Sequence, residues 1–192
     1  MCKSKRLSLL IFSTNDIGSN TRLLCHAKSF SELDRSKVLI LGPDISCLPK
    51  NLEHKKNIRQ QYFHQFIQLP VIFSILFYPL RMLFYIIELF VIAITYPSFD
   101  FCLVSYNESF FLSFLLSKWC HAKLIFDYPS LKWSQTDYKL NFLRRIEEKL
   151  LSFADIHICS TQSIQLVLKV RHINAFVIHV PNRSLLQTQI QS

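Results

Sequence analysis

Residues Leu7–Phe30 constrain the fold more than any other stretch. Leu7-Ser8-Leu9-Leu10-Ile11-Phe12 is a short, nearly unbroken apolar run, the pattern of a strand buried on both faces. Ser13-Thr14-Asn15-Asp16-Ile17-Gly18-Ser19-Asn20-Thr21 is polar, holds one of the two glycines in the chain and ends in good helix N-caps. Arg22-Leu23-Leu24-Cys25-His26-Ala27-Lys28-Ser29-Phe30 then places Leu23, Ala27 and Phe30 at helical spacing. Strand, tight turn and helix in that order open a parallel α/β sheet.

The same pattern continues along the chain. Lys37–Leu41 reads as a second strand, ended by Gly42-Pro43-Asp44, and a short strand is expected around Ile58–Phe63. Strands are expected at Phe101–Tyr106, Lys123–Asp127, Ile156–Ser160 and Asn174–Val180. Helices are expected at Phe110–Trp119, Tyr138–Phe153 and Ser163–Val170. The fold class is therefore α/β: a Rossmann-like parallel sheet flanked by helices, one domain over 1–183 with a polar tail over 184–192.

Leu69–Pro97 stands apart. It is almost wholly apolar, broken by Pro79, Arg81 and Glu88. At 100° per residue, Arg81, Tyr85, Glu88 and Thr95 share one narrow sector, and the remaining residues from Met82 to Tyr96 are apolar. Three arrangements compete. A membrane span is short, because the helix after Arg81 is only about 24 Å long against a hydrocarbon core of roughly 30 Å. A helix lying in the membrane interface, broken near Pro79, would turn the polar stripe to water. A helix packed on the sheet would bury it.

With 50% hydrophobic residues and 17 Phe, the composition hints at membrane contact. The net charge of +9 calls for an anionic partner: a phosphorylated substrate, an acidic membrane face or nucleic acid. The densest basic clusters, Lys3-Ser4-Lys5-Arg6 and His54-Lys55-Lys56, do not interleave with stacking aromatics, which argues against nucleic acid. The six cysteines form no CxxC and no zinc spacing, so they read as reduced thiols in a cytosol-facing protein, with no metal signature. Leu7–Phe12 is too short for the apolar core of a secretory signal.

In an open parallel sheet, ligands bind beyond the carboxyl ends of the strands. The polar residues expected there are Asn15, Asp16, Asp44, Asn107, Glu108, Asp127, Ser160 and Thr161. Asp16 and Asp127 are the better acid/base candidates, because each follows or ends a strand directly. The N-terminus of the first helix offers backbone N–H groups to a phosphate; Gly18 permits close approach and Arg22 adds a full charge. The same residues serve equally well as helix caps. The histidines, His26 included, show no grouping along the sequence.

Several of these stretches resemble one family. Asp16-Ile17-Gly18-Ser19-Asn20-Thr21-Arg22 with His26-Ala27 is similar to the first-loop pattern of the β-1,4-mannosyltransferases that add the first mannose to dolichol-linked chitobiose. Lys123–Asp127 with Tyr128 and Ser134 resembles that family's strand ending in Asp-Trp-His-Asn. Glu148-Lys149 and Ala154–Thr161 resemble its Glu-Lys helix and the strand that follows. Val177–Ser184 resembles the approach to its interdomain linker, and an apolar, membrane-hugging segment falls where Leu69–Pro97 lies. Two features depart from the family: Pro129 and Ser130 replace its His and Asn, and its Pro-Pro-Gly-rich loop is missing near Asn107–Phe111.

The resemblance implies a GT-B glycosyltransferase whose amino-terminal domain receives a lipid-pyrophosphate acceptor and whose other domain holds the donor, GDP-mannose. This sequence is expected to cover only the first of these and to be inactive alone. Asp16 or Asp127 is the implied base, and Gly18, Ser19 and Arg22 the implied phosphate-holding residues. No cofactor is implied. The implied partners are the lipid-pyrophosphate acceptor, a membrane surface and a separate donor-binding domain or other glycosyltransferases. The implied site of action is the cytosolic face of the endoplasmic reticulum membrane. The competing expectation is a non-catalytic membrane-docking subunit or an inactive truncated fragment.

Overall fold

The computed structural model describes residues 6–13, 20–43, 49, 52, 54–63, 71–105, 110–129, 149, 152–170 and 172–178. Seven strands form one parallel sheet: β1 (Ser8–Phe12), β2 (Lys37–Pro43), β3 (Ile58–Phe63), β4 (Phe101–Ser105), β5 (Lys123–Tyr128), β6 (Ile156–Cys159) and β7 (Ala175–Val177). The helices between them are α1 (Thr21–Ser31), α2 (Val71–Thr95), α3 (Phe110–Trp119) and α4 (Gln162–Val170).

The strand order is β3-β2-β1-β4-β5-β6-β7. The chain starts near the middle, builds outward through β2 and β3, then returns to β1's other side and builds outward again. The order reverses between β1 and β4, which is where doubly wound sheets open a crevice at the carboxyl ends of their strands.

Alternation along each strand splits the core in two. Leu10, Phe12, Leu39, Leu41, Cys102, Val104, Leu124, Phe126 and Tyr128 point to the face covered by α2, α3 and α4. Leu9, Ile11, Val38, Ile40, Leu103 and Ile158 point to the opposite face, where α1 inserts Leu23, Leu24 and Ala27. Both faces are apolar because both are covered, which is why β1 reads as a continuous apolar run. Acidic side chains tie strand starts together. Asp100 accepts from the Ser8 amide and hydroxyl at 2.9 and 2.8 Å, and Asp155 accepts from the Leu124 amide at 2.8 Å.

The expected strands and helices fall within a few residues of those observed. The last strand is shorter than expected, three residues rather than Asn174–Val180. The helix expected over Tyr138–Phe153 falls almost wholly outside the described residues, as does the tail over 184–192.

The α2 helix corrects one expectation. It runs 25 residues without ending at Pro79, and its described side chains, Leu80 and residues 83–95, show which way it faces. Tyr85, Leu89, Ile92 and Ala93 are buried in the core. Leu83, Phe84, Ile87, Phe90, Val91 and Ile94 are exposed. A polar stripe turned to water was one arrangement open to this segment; of its members with described side chains, Tyr85 is 8% exposed and Glu88 is half-buried, and Thr95 alone is exposed. The sheet supplies a partner for one face only, and the Tyr85 ring is apolar enough to join it. Among the residues with described side chains, no helix is long and apolar enough to cross a membrane.

Candidate functional site at the carboxyl rim of the sheet

The α1 helix starts at the rim. Asn20 is its cap: the side-chain oxygen accepts from the Leu23 amide at 3.2 Å, satisfying one of the amides that a helix start leaves open. Arg22 follows in the first turn and His26 one turn later, on the same side of the helix. Both reach Asp127, which stands near the end of β5 on the α1 side of the sheet.

The Arg22 Nε donates to Asp127 Oδ2 at 2.6 Å, and the two side chains are 10% and 0% exposed. The Arg22 Nη1 donates to the Ile178 carbonyl at 3.1 Å, just beyond β7. His26 Nε2 lies 3.4 Å from the same Asp127 oxygen, within ion-pair range but not aligned as a hydrogen bond. Ser105, beside Asp127 in register on β4, is also buried on this side. Among the described residues, the buried atoms Arg22 Nη2, Asp127 Oδ1, His26 Nε2 and Ser105 Oγ have no hydrogen-bond partner. The cluster thus holds donor and acceptor atoms unspent beneath the rim, where most buried polar atoms are paired.

Its charges are felt nearby. Burial pushes the Cys25 thiol up, and the positive charges of Lys28 and Arg22 oppose that shift. Burial also raises the Cys159 thiol, on which Arg22 and Asp127 act in opposite directions.

Among the residues singled out from sequence, Arg22 and Asp127 are brought together. Asp16, Gly18 and Ser19 lie outside the described residues, as do Asn15, Asp44, Asn107 and Glu108. Thr161 serves as a cap, its hydroxyl accepting from the Ile164 amide at 3.3 Å. The Ser160 hydroxyl donates to the Pro129 carbonyl at 3.0 Å, joining the ends of β5 and β6. Sequence reading missed His26 and Ser105. The i, i+4 spacing of Arg22 and His26 was a usable signal, since it puts both on one helix face. Ser105 gave none. Among the described residues, no three His, Cys, Asp or Glu side chains gather as metal ligands.

An open parallel sheet with a polar rim at its switch point defines a doubly wound, Rossmann-like α/β fold. A solved structure shares it: UDP-N-acetylglucosamine 2-epimerase from Rickettsia bellii is similar with a TM-score of 0.55 and 12% identity, over 90% of this chain and 44% of that one. The chain therefore spans less than half the length of that neighbour. No protein-family model and no curated protein matches the chain.

Proposed function

We propose that the chain is the acceptor-side half of a glycosyltransferase that moves mannose from GDP-mannose to dolichol-linked chitobiose at the cytosolic face of the endoplasmic reticulum. The observation that carries this reading is the Arg22–Asp127 ion pair. The two stretches that most resemble the mannosyltransferase family, residues 16–27 and 123–134, are about a hundred residues apart in sequence. Their charged members meet at the rim where such folds hold ligands. The neighbour's name, a sugar-nucleotide epimerase, supports a sugar-processing enzyme at a coarser level.

In this reading the helix start, with Gly18 and Ser19, receives the acceptor's diphosphate, and Arg22 presents Nη2 to it. Asp127 keeps the guanidinium oriented. Inverting transfer also needs a base to take the proton from the acceptor hydroxyl as the donor's phosphate leaves. Asp16 or Asp127 fills that role. Complete burial of Asp127, with one oxygen committed to Arg22, favours Asp16 as the base and Asp127 as the residue that holds the arginine.

The test uses a short-chain chitobiosyl-pyrophosphate lipid. The purified chain should bind it and discriminate against the same glycolipid without phosphate, and Arg22→Lys should weaken binding about tenfold, as loss of a charge-assisted contact does. Alone with GDP-mannose the chain should show no turnover; a donor domain added in trans should restore it. Equal binding of the phosphate-free lipid would remove the basis for the proposal.

A further inference from the structure

The cluster beneath the rim holds more hydrogen-bonding capacity than a diphosphate spends. Arg22 and His26 both address Asp127 Oδ2, and Arg22 Nη2 is free for the diphosphate. That leaves Asp127 Oδ1 and Ser105 Oγ, on residues 0% and 3% exposed, neither with a partner among the described residues. Buried polar atoms are seldom left so, and a carboxylate oxygen is the costlier kind to leave.

The two residues stand opposite each other in the β4–β5 register, on one face of the sheet. Neighbouring strands lie about 4.8 Å apart. Side chains rising together from that spacing keep their tips about a strand's width apart, and no bond links these two. One oxygen between them, with a bond of about 2.8 Å to each side, spans such a gap. Charge decides what kind of oxygen. Arg22 and Asp127 cancel, so an anion would meet the carboxylate and a cation the guanidinium. A neutral hydroxyl meets neither penalty. The ionised carboxylate can only accept and the serine can donate; a hydroxyl offers one proton and two lone pairs, and so satisfies both at once. Ser105 also ends β4, which with β1 forms the switch point where sheets of this kind take their ligands.

We infer that Ser105 and Asp127 Oδ1 together seat one hydroxyl of the acceptor's sugar, which makes Ser105 a specificity-determining residue. This rests on the sugar-transfer reading and adds to it a contact that recognises sugar rather than diphosphate. The hydroxyl donates to Asp127 Oδ1 and accepts from Ser105. The enclosure admits that one group, and the ring that bears it stays on the side of Arg22 and His26, whose side chains are 10% and 15% exposed.

Calorimetry on the full chain tests it with two short-chain prenyl diphosphates, one carrying chitobiose and one without sugar, and with chitobiosyl compounds lacking one hydroxyl at a time. Ser105→Ala should weaken binding of the chitobiosyl compound by about five- to tenfold, as loss of one neutral hydrogen bond does, and leave the sugar-free diphosphate unchanged. Ser105→Cys keeps the volume but offers only a weak donor, so it should lose as much. One deoxy compound should bind the parent about tenfold less well or worse, because it strands the carboxylate oxygen. With that compound, and no other of the series, Ser105→Ala should cost little more. Ser105→Ala without effect on the chitobiosyl compound, the result a bridging water gives, would overturn the inference and leave the acceptor reading standing. Equal weakening of both diphosphates would do the same. A parent chain that binds neither diphosphate would fail the acceptor reading itself, and this inference with it.

Discussion

Arg22 makes two unlike contacts with one side chain: a carboxylate on β5 and a backbone carbonyl beyond β7. Removing one partner of a buried pair leaves the other charge stranded, at a cost of about 3–5 kcal/mol. Arg22→Ala should therefore lower unfolding free energy by about that amount in urea titration, and Arg22→Ala/Asp127→Asn by clearly less, since no buried charge then lacks its partner. Strict additivity would mean that the pair does not interact energetically. At this scale, half of the cluster was legible. Arg22 stood out because it opens a helix after a polar turn, and Asp127 because it ends a strand. Their pairing was not, because a contact between residues 105 positions apart is set by strand order, which no local pattern encodes.

At the scale of elements, the α2 helix carried the clearest signal and the least determinate orientation. A helix that is apolar nearly all round gives periodicity little contrast to work with, so several faces compete to be buried. The sheet resolved this by taking Tyr85, Leu89, Ile92 and Ala93. Leu89 is fully buried, so Leu89→Ala should cost about 2–5 kcal/mol through lost contacts and a residual cavity. Ile87→Ala, half a turn away and 51% exposed, should stay within about 0.5 kcal/mol. Equilibrium denaturation compares the two directly, and similar costs would mean that α2 buries a different face. The short strands were easier to read. Each is a compact apolar run bounded by turn residues, and burial on both sides leaves such a run no other place in the fold.

At the scale of the whole molecule, stability responds to acid through a residue in the sheet itself. His157 on β6 lies with Nδ1 3.2 Å from the Tyr128 hydroxyl, and burial holds its imidazole below the ordinary value of 6.5. The unfolded chain thus takes up the proton before the native one does. The stability it contributes is complete above pH 6.5 and is lost as the pH falls through the lowered native value. Thermal midpoints measured from pH 8 to pH 5 should decline, and His157→Gln should flatten part of that decline. An unchanged slope in the variant would assign the acid sensitivity to other groups. The order of the seven strands, unlike their existence, was beyond the sequence: a parallel sheet can be wound in several orders from the same alternation of elements.

The bond from Arg22 to the Ile178 carbonyl has a mechanical meaning. It fastens the start of the first helix to the point where the backbone leaves the final strand, spanning most of the sheet's length in sequence with a single planar group. Through that one side chain, the order of the backbone at Ile178 and the orientation of the carboxylate on β5 are held together.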